Sequence, residues 1–324
     1  TIGNIGQPDV NVNGTLNDIN ALLIINGQGA GDRDVLTLDD TGDWGNNYGT
    51  LTHNTISNGL VGSTGLYLMG AAGSITYGTF EELNIHLGNA VSVNVFTIES
   101  THSAGSVTTV TSGDGADIIN IEMIAGDTTV RTGDGSDVVR VGSTTGHVGQ
   151  VNGVLDAFTS SVNNINARLT IIGEDGSNDT LKVYDAGDNV QENGELTGAE
   201  ITGMGMILGI GYQGFETLKI WLSDNNNGFF INSTHTGVTF IDAGDEPPVT
   251  NATNDVININ TISGPTTVDL GNGNDIVRVN YDRNGEQTFR SGIDGELTLH
   301  GQQGSDKYEI GLAGEISSRI NVFD

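Results

Sequence analysis

An internal repeat constrains this chain more than any other feature of its 324 residues, because a fixed repeat builds stacked architectures in which each unit buries its apolar face against the next. The stretch Ile124–Val141, IAGDTTVRTGDGSDVVRV, returns 138 residues later as Ile262–Val279, ISGPTTVDLGNGNDIVRV. Other landmarks return in the same order. Tyr77, Phe80 and Glu81 reappear as Tyr212, Phe215 and Glu216, Ser100-Thr101-His102 as Ser233-Thr234-His235, and Asp40-Thr41-Gly42-Asp43 as Asp185-Ala186-Gly187-Asp188. The spacing predicts two units of about 140 residues, 1–141 and 142–279, with a partial third at 280–324, joined in one continuous solenoid.

Each unit contains a shorter pattern, in which an acid is followed by apolar residues two and four places on. Asp34 precedes Leu36 and Leu38, Asp117 precedes Ile119 and Ile121, and Asp137 precedes Val139 and Val141. The same holds for Asp179, Asp255, Asp275 and Asp306, the last with Tyr308 and Ile310. Period-two alternation of β-branched residues predicts short, half-buried strands. The clearest neighbours, Asp117 with Asp137 and Asp255 with Asp275, are 20 residues apart, which suits one coil of a parallel β-solenoid. The expected fold is therefore all-β. Helix signals are weak in a chain with 49 glycines, apart from one turn at Val154–Phe158. Residues 39–80, 142–168 and 185–211 read as loops or irregular coils.

Charge narrows the function. Asp and Glu number 41 against 11 Lys and Arg, a formal charge of −30, which excludes polyanionic nucleic acid as a partner. Carboxylates at this density need exposure or neutralisation, and hard cations with oxygen ligands are the natural counterions. Cysteine is absent, so no disulfide or thiolate site operates. The longest apolar runs, such as Ala21–Ile25, are too short to span a bilayer, and no basic-then-apolar leader opens the chain.

Candidate chemistry sits in the Gly-Asp turns Gly113-Asp114-Gly115-Ala116-Asp117, Gly133-Asp134-Gly135-Ser136-Asp137 and Gly271-Asn272-Gly273-Asn274-Asp275. Glycine permits the positive φ that exposes backbone carbonyls, while the closing Asp brings a carboxylate to a fixed place. One turn cannot supply the 6 to 8 oxygens that Ca2+ takes, whereas two stacked turns offer more. The competing reading is that Gly-Asp turns simply reverse the chain. These turns resemble the repeat-in-toxin, haemolysin-type calcium-binding family, whose nonapeptide reads G-G-x-G-x-D-x-U-x. Ser112–Asn120 matches eight of the nine places, and Thr132–Arg140 and Leu270–Arg278 match likewise. The family runs its nonapeptides back to back, while this chain has one per coil. The resemblance implies Ca2+ along one edge of a wider solenoid. Asp34, Asp179 and Asp306 close looser turns and, with Asp255, join the candidate ligands, whereas the turns ending in Asn94 and Asn227 lack the acid and are expected to be metal-free.

Other signals carry blander expectations. His102 and His235 are repeat copies and read as structural. Asp39, Asp40 and Asp43, with Asp185 and Asp188, read as turn or Asx caps in preference to a second calcium site or a carboxylate pair. Sequons at Asn13, Asn178, Asn232 and Asn251 are candidate glycan acceptors. The pairs Thr108-Thr109, Thr128-Thr129 and Thr266-Thr267 offer an outward Thr ladder.

The chain is thus expected to be a non-enzymatic, extracellular, calcium-stabilised structural or adhesive solenoid, a segment of a cell-surface fibre or large surface protein. Its start at Thr1-Ile2-Gly3 and stop at Asn321–Asp324 look cut from a longer repeat, so further repeats or head-to-tail copies are the expected partners, with surface glycans as further ones and no membrane span. Two alternatives stand beside this: a polysaccharide lyase or epimerase, which 11 basic residues poorly equip, and an ice- or glycan-binding module.

Overall fold

A computed structural model describes residues 1–3, 14–28, 32–59, 66–89, 93–103, 105–142, 160–244, 254–288, 292–311 and 318–324. Among them every regular element is a β-strand and none is a helix. The expected turn at Val154–Phe158 lies outside the described residues, as do Asn13 and Asn251. The chain forms two compact units: Thr1–Leu155 with Asn164–Thr180 and Tyr212–Phe215, and Asp156–Asn163 with Leu181–Gly211 and Glu216–Asp324.

Unit 1 is a parallel β-solenoid with two facing strand stacks. One stack orders Val35–Asp39, Glu82–His86, Val107–Thr111, Asp127–Arg131 and Leu169–Ile172, all parallel. Their register is exact in the sense that matters for packing: Ile85, Val110, Val130 and Ile171 lie side by side and are fully buried. The other stack carries Tyr48–Leu51, Val95–Ile98, Ile118–Ile121 and Val138–Val141, which sets Phe96, Ile119 and Val139 in a second buried row. Full burial of each such side chain contributes roughly 1.5 to 3 kcal/mol. The period-two pattern read in the sequence is this inward face.

Unit 2 repeats the scheme. Ile220, Ile241, Val268 and Leu299 form one buried row across Thr217–Trp221, Val238–Asp242, Thr266–Asp269 and Leu297–His300. Phe229, Ile257 and Val277 form the other across Gly228–Ile231, Val256–Ile259 and Ile276–Val279. The row continues to Tyr308 on Lys307–Ile310. That strand is last in its sheet order, which leaves Ile310 at 37% exposure.

Two stretches expected as loops instead hold antiparallel strands. In unit 1, Thr55–Asn58 pairs antiparallel with both Tyr48–Leu51 and Ser74–Gly78. In unit 2, Glu200–Gly203 does so with Asn193–Leu196 and with Ile210–Gly211. The reversals are tight: Thr52 and Thr197 each donate N–H to the carbonyl three residues on, at 2.8 Å. Short segments rich in Gly, Thr and Ser carry too few apolar residues to announce a strand by alternation. The Thr pairs also differ from expectation, because Thr108, Thr128 and Thr266 point inward and are buried, leaving one outward Thr per pair.

Candidate metal centre and the aspartate ladders

The closing aspartates of the Gly-Asp turns stack on successive coils. In unit 1, Asp117 N–H donates to Asp137 Oδ1 at 2.7 Å and Asp137 N–H to Asp179 Oδ1 at 2.8 Å. Asn94 N–H completes the series by donating to Asp117 Oδ1 at 2.6 Å. Unit 2 builds the same ladder: Asn227 N–H to Asp255 Oδ1 at 2.6 Å, Asp255 N–H to Asp275 Oδ1 at 2.8 Å, and Asp275 N–H to Asp306 Oδ1 at 3.0 Å. Each carboxylate thus caps the amide of its counterpart one coil away, satisfying a buried N–H that the corner removes from the sheet.

The glycines allow the corners to approach. Gly133 has φ of +81°, and a Cβ there would lie 2.0 Å from the carbonyl oxygen of Gly113 on the neighbouring corner. Gly115, Gly135, Gly271 and Gly273 belong to the same corners. Asp114 and Asp134 point to solvent and Asn272 is half-buried, so the second residue of each turn stands outside the ladder. The two coils that end in Asn terminate the ladders. Asn94 Nδ2 donates to the carbonyls of Gly88 and Ser112 at 3.1 and 2.8 Å, and Asn227 Nδ2 to those of Ser223 and Ala243 at 2.6 and 3.3 Å. Asp34 belongs to neither ladder, because its Oδ2 accepts the N–H of Gln28 within its own turn.

Burial is the dominant electrostatic fact. It pushes the Asp117 carboxyl up to about 6, against the lowering effect of the Asn94 N–H and the nearby Ser112 and Asn94 side chains. It pushes Asp137 up to about 7, opposed by the Asp117 N–H and Thr132 and assisted by the charges of Asp117 and Asp179. The second oxygen, Oδ2, of both Asp117 and Asp137 is buried without a hydrogen bond of normal geometry.

A different set of acids converges more tightly. Among the described residues, Asp185, Asp188 and Glu192 are the one group of three potential ligands that each offer an oxygen within 4.8 Å of the others'. Asp185 follows the strand Thr180–Tyr184, and its Oδ1 accepts the Val162 N–H at 3.1 Å. Asp188 Oδ1 caps the Val190 N–H at 3.0 Å while its Oδ2 accepts from Asn163 Nδ2 at 3.0 Å. The Asx capping expected from the sequence is therefore present. Glu192, absent from that reading, brings the third carboxylate from the residue before strand Asn193–Leu196, and its Oε2 is buried without a hydrogen-bond partner among the described residues. Burial, with the charges of Asp188 and Glu192, pushes Asp185 up to about 8, and burial with Asp188 raises Glu192.

Unit 1 copies this turn at Asp40, Asp43 and Asn47. Asp40 Oδ1 accepts the Leu16 N–H at 2.7 Å, Asp43 Oδ1 caps Gly45 at 2.8 Å, and Asp43 Oδ2 accepts from Asn17 Nδ2 at 2.9 Å. Asp40 is pushed up to about 8 by burial and its acidic neighbours. Asn47, in the place of Glu192, is 2% exposed, and neither its Oδ1 nor its Nδ2 has a partner among the described residues. The spacing Asp-x-x-Asp-x-x-x-Glu/Asn is the signal from which the third ligand could have been read.

The donor set is all oxygen and anionic, which suits a hard divalent cation such as Ca2+ and excludes a preference for soft metals. Of the sequons, Asn178 is exposed at a turn, whereas Asn232 is engaged, with Nδ2 donating to Glu195 Oε1 and Oδ1 accepting from Asn260. Compared with known protein families, curated proteins and solved structures, the chain matches none of them.

Proposed function

We propose that this chain is an extracellular, non-enzymatic structural element, a calcium-stabilised β-solenoid that forms a segment of a cell-surface fibre or large surface protein. The observation that carries the calcium reading is the meeting of Asp185, Asp188 and Glu192 within 4.8 Å in a chain of net charge −30. Three carboxylates this close repel one another and are neutralised by a proton or a cation, and Ca2+ supplies the charge with the oxygen preference that they meet. The stacked corners at Asp117 and Asp137, and at Asp255 and Asp275 with the half-buried Asp306, add a second row of acids, in turns that resemble the repeat-in-toxin ones. Each of their carboxylates is engaged singly with a backbone N–H, and no three of them converge among the described residues, so calcium is assigned first to the three-carboxylate turn.

Copies of the chain, or further repeats, are the proposed partners. The strand Leu22–Asn26 is first in its sheet order and exposes Leu22 and Ile24 at 58% and 62%. The last strand, Ile320–Phe323, exposes Phe323 at 56%. Apolar strands with one unpaired edge are suited to continued stacking. No helix among the described residues is long and apolar enough to cross a membrane. The test is a calcium titration with and without chelator, read by melting temperature and far-UV circular dichroism. Calcium is expected to raise the melting temperature and chelator to reverse the rise; an unchanged melt removes the calcium reading.

A further inference from the structure

We infer that unit 2 carries a binding groove for an uncharged carbohydrate, built on the outer side of the sheet formed by Asn193–Leu196, Gly228–Ile231 and Val256–Ile259. A cavity of about 460 Å³ opens there, lined by Asn193, Asn226, Asn254, Asn258, Phe230 and Arg283 among others. That volume lies in the range of small-ligand sites, about 300 to 1,000 Å³. The inference goes beyond the structural role proposed above and does not depend on calcium.

The groove is pre-organised by a second ladder, one residue ahead of the aspartates. Asn226 Oδ1 accepts the Asn254 N–H at 2.6 Å, and Asn254 Oδ1 accepts the Asn274 N–H at 2.8 Å. These bonds fix which way each amide faces. With the oxygens engaged on backbone, the Nδ2 groups of Asn226 and Asn254 remain as exposed donors, spaced by one coil, about 4.8 Å. A row of fixed amide donors at this spacing matches the hydroxyls of successive pyranose rings. Asn193 lies over Gly228, where its Oδ1 is 2.2 Å from the place a Cβ would take, so the glycine makes room for the amide.

Charge selects the class of ligand. Arg283 is paired with Glu195 and its guanidinium lies 5.8 Å from the centroid of the Phe230 ring, so the one cation named in the lining is already balanced. The lining holds amides, glycines and phenyl rings with no carboxylate among its described residues. A polar cleft whose one lining cation is paired with a carboxylate, on a strongly anionic protein, disfavours uronates, sulfated glycans and phosphates and accepts neutral sugars. With no carboxylate pair among the described lining residues, the groove is equipped to hold a glycosidic chain.

The corresponding positions in unit 1 lack this chemistry. Tyr48 stands for Asn193, Val93 for Asn226 and Ala116 for Asn254.

Affinity electrophoresis through gels containing soluble glucan, mannan or galactan, with polygalacturonate and alginate as anionic controls, tests the inference on the full chain. At least one neutral polymer is expected to slow migration twofold or more while the anionic polymers leave it unchanged. The double variant Asn226→Asp with Asn254→Asp keeps both backbone-accepting oxygens and replaces the donors, so it should lose at least tenfold in affinity at an unchanged melting temperature. Asn193→Tyr, which installs the unit 1 residue, should do the same. No retardation by any neutral polymer, or retardation unchanged in the Asp double variant, overturns the groove. Running each gel with calcium and with chelator keeps this outcome separate from that of the calcium reading.

Discussion

The turn at Asp40–Asn47 in unit 1 and its copy at Asp185–Glu192 in unit 2 share their first two carboxylates, their backbone caps and their asparagine partners. They differ in the last residue. Glu192 completes a three-acid cluster, whereas Asn47 leaves a buried amide in its place. The aspartate ladders show the opposite: both units carry the series Asn, Asp, Asp, Asp with the same bonds. Features that both copies retain belong to the coil itself, because every coil has a corner whose N–H needs an acceptor. Features present in one copy only are those that a ligand would explain.

The largest effect expected from testing this division is loss of a ladder rung. Asp137→Ala in unit 1 and Asp275→Ala in unit 2 each strip the acceptor from a buried N–H, of Asp117 and of Asp255 respectively. Each should cost about 3 kcal/mol, the upper end of the penalty for an unsatisfied buried group. Urea denaturation should give similar losses for both variants, with and without calcium. A loss seen in one unit and not its copy would break the equivalence of the ladders.

Calcium should act on unit 2 alone. Metal bound only by the folded state adds about 2.7 kcal/mol when free calcium is a hundredfold above Kd. Glu192→Asn gives unit 2 the unit 1 turn and should abolish that gain, while leaving stability in chelator unchanged or improved, since one of three mutually repelling carboxylates is removed. Asn47→Glu makes the reciprocal change and should create a second site beside Asp40 and Asp43, seen as a doubled calcium stoichiometry by isothermal titration calorimetry. If Glu192→Asn keeps the full calcium response, the site lies elsewhere, and the Gly-Asp corners become the next candidates.

Much of this was written in the sequence and some was hidden by its physics. The inward residues Ile119, Ile121, Val139, Val141, Ile257 and Ile259 are legible because alternation after an acid marks a half-buried strand, and all are fully buried. The stacking of Asp117 on Asp137 followed from their 20-residue spacing. What each carboxylate does was not legible, since a cap on a backbone N–H one coil away depends on register in three dimensions. The strand pairs around Thr52 and Thr197 are not legible, because Thr, Ser and Gly mark loops as readily as edge strands. Glu192 is hidden for a related reason. Its seven-residue distance from Asp185 becomes proximity only when the turn folds back onto the start of strand Asn193–Leu196.

Per pH unit, the smallest expected change is in the dependence of stability on pH, and it separates the ladder carboxylates from the cluster. The ordinary value of these acids is 3.8, and in the folded chain Asp137 is raised to about 7 and Asp185 to about 8. Between the two values the folded state binds protons that the unfolded state has released, so stability falls as pH rises through the window, by up to about 1.4 kcal/mol per pH unit for each such proton. The fall should begin near pH 4 and be complete near pH 7 for Asp137 and near pH 8 for Asp185, read as urea midpoints in chelator. Asp137→Asn keeps an acceptor for the Asp117 N–H and carries no charge, so its midpoint should fall less steeply below about pH 7, whether or not calcium is present. If the cluster binds Ca2+ as proposed, the ion takes the place of the proton, and calcium alone should flatten the Asp185 part of the slope in the wild-type chain. It should do nothing of the kind in Glu192→Asn. A slope that calcium removes entirely would mean that the ladder aspartates also bind the ion, and the two classes of acid would merge into one.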